Sequence, residues 1–125
     1  MTTLFNFSPR ALELQSQLAD FMHSHILPAE AAVASWQAHA ETRWLPCPTI
    51  EVLKQKAKDA GLWNLFLSDA THGAGLSNLE YAPLAEQMGR VLWASEVFNC
   101  NAPDTGNMEV LAHFASASQK QQWLT

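Results

Sequence analysis

The segment from Val97 to Met108 is the most unusual part of the sequence. It reads VFNCNAPDTGNM and places amides, a carboxylate and a hydroxyl between two apolar helical stretches; these polar residues are Asn99, Asn101, Asp104, Thr105 and Asn107. Such side chains can hydrogen-bond a bound molecule, or they can only cap the flanking helices and satisfy free backbone groups. The pattern alone favours capping, because such caps are common.

The histidines are the next candidates for chemistry, and the closest pair is His23 with His25. Residues two apart on a helix point in different directions, so this pair lacks the i, i+4 spacing of a zinc-binding helix. The other three histidines are isolated in the sequence. We therefore expect capping or surface histidines and no metal site.

Three further patterns fit structural roles as well as chemical ones. Residues 72–75, HGAG, lack the preceding strand and third glycine of a dinucleotide-binding loop, so a plain turn is the better interpretation. Any of four glutamates, at positions 80, 86, 96 and 109, could act as a general base, but each also fits a capping or solvent-facing position. Cys47 and Cys100 form no CxxC pair, and we expect buried structural thiols.

The composition is that of one globular domain covering residues 1–125. Hydrophobic residues make up 48% of the chain and charged residues 15%, and no apolar run approaches the roughly 18 to 20 residues of a membrane span. The net charge is -5 and the seven basic residues are thinly spread, which argues against nucleic acid as a partner. No signal sequence is recognisable in residues 1–7, so we expect a cytoplasmic protein.

Helix signals begin near the N-terminus. Ser8 followed by Pro9 predicts an N-cap and a first helical turn. Apolar residues then recur at helical spacing as far as about Ile26, and Pro28 is expected to end or kink that helix. The alanine-rich stretch 29–40 can form a second helix or an extension of the first after a bend.

Further helix signals follow in the middle of the chain. A helix is predicted from near Thr49 to Gly61, where glycine fits the left-handed position past a helix end. Ser77 and Glu80 form an S-x-x-E capping box that predicts the start of the next helix. The residues expected on the inner face of that helix are Tyr81, Leu84, Ala85, Met88 and Leu92.

Capping residues and apolar spacing in the last third of the sequence predict two more helices. Asp104 or Thr105 can cap one that carries Met108, Leu111 and Phe114 inward. Residues 116–119 form a second capping box, and the helix that follows has no closing signal, so we expect the native chain to continue. No alternating strand pattern or repeat is evident. The predicted fold is an all-α bundle of about six helices, orthogonal or up-down.

Four segments, in order and spacing, resemble the N-terminal helical domain of the acyl-CoA dehydrogenases. Together they cover the chain from about Leu12 to Thr125. FMHSHILPAE is similar to the family's I-x-P-x-E helix end, and KDAGLWNLFL is similar to its "aGLw" segment. HGAGLSNLEYAPLAEQMGR is similar to its GGxGLsxxeyaxlxEemgr segment, with His72 in place of the first glycine. NAPDTGNMEVLAHFASASQKQQWL is the most specific and resembles the branch of family members ten and eleven.

The resemblance implies the N-terminal part of an FAD-dependent enzyme with a middle β domain and a C-terminal helical domain. In such enzymes a carboxylate removes the α-proton of an acyl-CoA while a hydride passes from the β-carbon to FAD. The base and most FAD contacts lie in the other two domains, and the N-terminal domain walls the acyl pocket. The candidate substrate-binding residues carried over are Phe98, Asn99, Asn101, Asp104, Thr105 and Met108.

The same resemblance implies acyl-CoA and an electron-transfer acceptor as partners, a role in fatty acid metabolism, and a homo-oligomer. It also implies that this chain alone holds no FAD and is inactive. The alternative is a stand-alone helical interaction module that uses exposed aromatic side chains as anchors in a partner's groove. Five tryptophans, at positions 36, 44, 63, 93 and 123, make this alternative possible.

Overall fold

The computed structural model describes residues 6–124, and these residues form helices without any β-strand. This confirms the predicted all-α class, and the count of about six holds if the first helical run is taken as one helix. The elements in chain order are α1 (Pro9–Phe21), a π-helical turn (Met22–Ile26), α2 (Leu27–Ala38), α3 (Pro48–Asp59), α4 (Asn78–Met88), α5 (Ala94–Val97), α6 (Asp104–Phe114) and α7 (Ala117–Trp123).

The first helical run passes Pro28 without ending. Ser8 caps its start, with the side-chain oxygen accepting from the backbone N–H of Ala11 at 3.2 Å. Before the proline the chain widens into the π turn, where the Leu27 N–H donates to the carbonyl of Met22. Such a turn inserts an i→i+5 bond and lets the helix continue past a residue that has no N–H of its own. Of the two predicted alternatives, the extension is therefore the one observed.

The predicted start and end of α3 and the predicted start of α4 are confirmed. Gly61 follows α3 with a φ of +70°, in the left-handed region that glycine adopts without steric cost. The capping box at α4 is complete: the Ser77 N–H donates to the Glu80 carboxylate at 3.1 Å, and the Glu80 N–H donates to the Ser77 hydroxyl at 3.4 Å.

Two residues expected to face inward are exposed instead. Helix α4 ends at Met88, so Leu92 falls in the following turn and its side chain is fully exposed. Phe114 is 84% exposed because Met108 and Ala112, one turn apart, set the buried face of α6. Phe114 lies two residues beyond Ala112, roughly 200° around the helix, and so points away from that face.

The core lies between α1, α3, α4 and α5, where α1 packs on α4 and α3 packs on α5. Phe21 of α1 meets Phe98 edge to face, with ring centroids 5.3 Å apart. A second, smaller apolar cluster joins the loop before α4 to the last two helices; its buried members are Leu67, Met108, Ala112 and Leu124. Across residues 6–124, no helix is long and apolar enough to cross a membrane.

Candidate functional site

Residues 98–103 form a compact connection from α5 to α6. The Asn99 N–H donates to the Glu96 carbonyl at 3.1 Å and the Cys100 N–H donates to the Ser95 carbonyl at 2.8 Å, which closes the end of α5. The peptide bond before Pro103 is cis. The two bonds at the end of α5 join backbone groups. At the start of α6 the N-cap residue is Pro103 and no side chain caps the helix, so the predicted cap by Asp104 or Thr105 is wrong.

The amide side chains of Asn99 and Asn64 form the polar centre of this region. Asn99 Nδ2 donates to Asn64 Oδ1 at 2.8 Å and lies 3.3 Å from the Met108 sulfur. Asn64 Nδ2 in turn donates to the His72 carbonyl at 3.0 Å. The two asparagines are 35 positions apart in the sequence, so this pair ties the loop after α3 to the α5–α6 connection.

The six residues proposed from the resemblance lie at different depths. Phe98 is fully buried in the main core, and Met108 is buried in the smaller cluster. The remaining four are nearer the surface: Asn99, Asn101 and Thr105 are half-buried, and Asp104 is exposed in the first turn of α6. The structure brings Asn99 and Met108 into contact.

Thr105 belongs to a cleft of about 260 Å³ beside this segment; its lining residues are Phe66, Asn78, Tyr81, Cys100, Thr105 and Glu109. Burial raises the pKa of the Tyr81 hydroxyl well above its usual range, and the nearby Cys100 thiol adds to that effect. Burial also raises the pKa of Cys100. Both groups are therefore neutral at physiological pH, and Cys100 is not poised as a thiolate nucleophile. The Cys100 thiol donates instead to the Phe98 carbonyl at 3.2 Å.

Sequence reasoning missed Asn64 as part of this region. The available signal was a lone asparagine inside the apolar run 62–67, and Asn64 is the one polar side chain that is buried among residues 6–124. A buried amide is stable only when hydrogen-bonded, so a partner was to be expected. Which residue is that partner depends on tertiary contacts, and the spacing of residues in the sequence does not reveal them.

The glycines of the loop before α4 serve packing and do not cradle a phosphate. A Cβ on Gly73 would lie 2.3 Å from the Leu67 carbonyl oxygen, and Gly75 has a φ of +67° with Ala70 against it. The N–H groups of both glycines donate within the loop, Gly73 to the Asp69 carbonyl and Gly75 to the Leu67 carbonyl, whereas a dinucleotide loop leaves its N–H groups open to the ligand. Residues 72–75 therefore form the plain turn that the sequence predicted.

The histidine pair of the π turn gives no metal centre within the described part of the chain. Residues 6–124 contain no group of three or more histidine, cysteine or acidic side chains able to hold an ion. His25 packs its ring against Phe21 instead, with centroids 4.8 Å apart.

Comparison with known proteins places this geometry in a family. The family model for the acyl-CoA dehydrogenase N-terminal domain matches residues 8–125. Acyl-CoA dehydrogenase family member 10 from Mus musculus is 51% identical over 122 residues, which cover 94% of this chain and 11% of that protein. Acyl-CoA dehydrogenase family member 11 from Rattus norvegicus is 47% identical over 124 residues, which cover 97% of this chain and 16% of that protein.

A solved structure supports the same assignment. It comes from Mycobacterium abscessus, is provisionally assigned as an acyl-CoA dehydrogenase, and superposes with a TM-score of 0.86 at 49% identity over 96% of this chain and 31% of the other. The chain thus spans between about a tenth and a third of the length of these relatives. On these matches, the chain belongs to the acyl-CoA dehydrogenase N-terminal domain family.

Proposed function

We propose that this chain is the N-terminal helical domain of an FAD-dependent acyl-CoA dehydrogenase, which oxidises acyl-CoA thioesters between the α- and β-carbons. The observation that carries the proposal is the match of the family domain to residues 8–125, combined with relatives several times longer than this chain. A middle β domain and a C-terminal helical domain would complete the enzyme. The chain alone would be inactive.

The chain's own part in the reaction is to shape one wall of the acyl pocket and to keep water out of it. FAD, when held by the complete enzyme, supplies the acceptor for the hydride that leaves the β-carbon. An apolar helical wall excludes water from this chemistry, where solvent would compete. The proposed pocket residues remain Phe98, Asn99, Asn101, Asp104, Thr105 and Met108.

These six residues would contribute in different ways. Phe98 supports the wall from within the core through its contact with Phe21. The half-buried Asn99 and Thr105 would present polar groups at the surface of the wall. Acyl-CoA would be the substrate, an electron-transfer acceptor would reoxidise the flavin, and the complete protein would act in fatty acid metabolism as a cytoplasmic homo-oligomer.

A second candidate function is a stand-alone interaction module. Trp44 is 87% exposed. The loop that carries it is fixed to α2: the Thr42 hydroxyl donates to the Trp36 carbonyl at 2.6 Å, and the Trp36 ring N–H donates to the Leu45 carbonyl at 3.3 Å. An exposed tryptophan on a loop held in this way is a typical anchor for a protein partner.

The deciding experiment is to sequence the parent reading frame and express the protein that it encodes. A frame that continues into the two further domains should yield a yellow protein that reduces its flavin with members of an acyl-CoA panel. The 125-residue chain, mixed with FAD, acyl-CoA and an electron acceptor, is the matched control and should give no turnover. Turnover by this control would contradict the proposed inactivity of the chain alone. A colourless and inactive product of the complete frame would contradict the proposed enzyme and favour the interaction module.

A further inference from the structure

The Asn64 side chain joins segments that are far apart in the sequence. Its amide nitrogen donates to the His72 carbonyl at 3.0 Å, and its amide oxygen accepts from Asn99 at 2.8 Å. The Asn64 backbone N–H also donates to the Phe98 carbonyl at 3.1 Å. Three hydrogen bonds therefore hold the loop between α3 and α4 and the α5–α6 connection in one arrangement.

Both asparagines adopt left-handed backbone conformations, with φ of 55° at Asn64 and 53° at Asn99. Such conformations are unfavourable for residues with a Cβ, and asparagine tolerates them better than most. Glycine would adopt them at lower steric cost. What asparagine adds over glycine at these positions is therefore its side-chain amide and the bonds that the amide makes.

The amide pair extends to Met108 at the start of α6. Asn99 uses the same Nδ2 group to contact the Asn64 oxygen and the Met108 sulfur, the latter at 3.3 Å. The methionine side chain has several rotatable bonds and would otherwise fill space adaptably. A fixed amide at its sulfur, together with packing in the cluster that includes Leu67, holds it in one position.

We propose that Asn64 is a positioning residue for the acyl pocket: through Asn99 it sets the location of Met108 and of the α5–α6 connection, and thereby the fit of the acyl chain. Asn64 is 4% exposed, so it acts on the pocket through Asn99 without forming its surface. This inference rests on the proposed function, because it requires the α5–α6 connection to face the substrate.

The test uses the protein encoded by the complete reading frame and saturated acyl-CoAs of several chain lengths. Asn64→Gly keeps the backbone conformation and removes the amide. The KM for long-chain substrates should rise about threefold to tenfold, the equivalent of one hydrogen bond, because, of the two side-chain bonds that are lost, only the one from Asn99 connects Asn64 to Met108. The kcat should stay within about twofold of wild type. In its KM, the Asn64→Gly and Asn99→Gly double variant should match the single Asn99→Gly variant, because without the Asn99 amide the Asn64 side chain has no connection to Met108. Ser68→Gly, an exposed site in the same loop, is the control for adding glycine.

The measured KM, stability and substrate binding separate a positioning role of Asn64 from a purely structural one and from failure of the proposed function. If Asn64 has a purely structural role, the Asn64→Gly variant will have a lower melting temperature or less bound flavin, and the KM of the protein that remains folded will be unchanged. That result would overturn the positioning role alone. The wild-type protein tests the proposed function separately, by turnover and by calorimetric titration with a long-chain acyl-CoA. If it neither turns over nor binds any member of the panel, the proposed function fails, and the positioning role fails with it.

Discussion

Close packing around one glycine sets the geometry of the loop before α4. A Cβ on Gly73 would overlap the Leu67 carbonyl oxygen and Cβ, at 2.3 and 2.5 Å, and these are main-chain or near-main-chain atoms that cannot rotate away. We expect Gly73→Ala to lower the free energy of unfolding by about 2 kcal/mol or more. Urea unfolding of the wild-type chain and of the variant measures the difference in the free energy of unfolding.

Gly106 is the matched control for that substitution. It lies inside α6 with nothing near the position of an added Cβ. Gly106→Ala should therefore stabilise the chain by about 0.5 to 1 kcal/mol, the usual helical preference for alanine. Equal effects of the two substitutions would show that the packing at Gly73 has been misjudged.

Glu80 links stability to pH. Hydrogen bonds from the Ser8 side chain first, and then from the Ser77 N–H and hydroxyl, lower its pKa from 4.5 to about 2. Because the folded-state pKa is the lower one, the carboxylate stabilises the fold above pH 4.5, and this contribution is lost as the pH falls toward 2.

The matched variant is Glu80→Gln, which keeps an S-x-x-Q capping box but does not titrate. We expect the wild-type chain to have the higher urea midpoint near neutral pH, and the difference between the two proteins to shrink across this acidic range. A difference that stays constant with pH would mean that the carboxylate charge does not matter at this cap.

Among the helices, α6 departs most from its sequence pattern. Met108, Leu111 and Phe114 share a helical spacing that fits one buried face, yet the observed face runs through Met108 and Ala112. Spacing fixes which residues lie together on a helix, but the neighbouring elements decide which face is covered. Here the cover comes from Leu67 and Leu124.

Two substitutions on α6 test that assignment. Met108→Ala should lower the free energy of unfolding by about 2 to 4 kcal/mol, since it leaves a cavity in the smaller cluster. Phe114→Ala should change it by no more than about 0.5 kcal/mol in this chain, because the ring is exposed. A larger loss for Phe114→Ala than for Met108→Ala would mean that the Phe114 side of α6 is the buried one.

Local signals predicted most of the helical framework. The Ser77–Glu80 capping box and Gly61 act through bonds or backbone preferences within a few residues, so the sequence reveals them directly. The site depends on contacts that are not local. The Asn64–Asn99 pair spans 35 positions, and the cleft beside Thr105 combines side chains from four parts of the chain, so neither follows from spacing.

At the scale of the whole molecule, large apolar side chains remain at the surface. Within the described part of the chain they include Val110 and Phe114, one turn apart on α6, and Trp123 on α7. Apolar patches of this kind mark surfaces that bind other protein. We therefore expect the isolated chain to self-associate as its concentration rises, because burial of these side chains is favourable.

Sedimentation velocity over a range of concentrations would measure that association. Replacing Val110 and Phe114 together with lysine should shift the chain toward monomer, because it places two like charges on the apolar stripe of α6 without touching the buried face. Replacing Trp44 and Leu45 with lysine changes another exposed apolar site and serves as the comparison. If only the Trp44 and Leu45 substitutions abolish association, the loop after α2 is the surface through which the chain self-associates. That outcome would strengthen the interaction-module alternative over a role for α6 in contacts between domains.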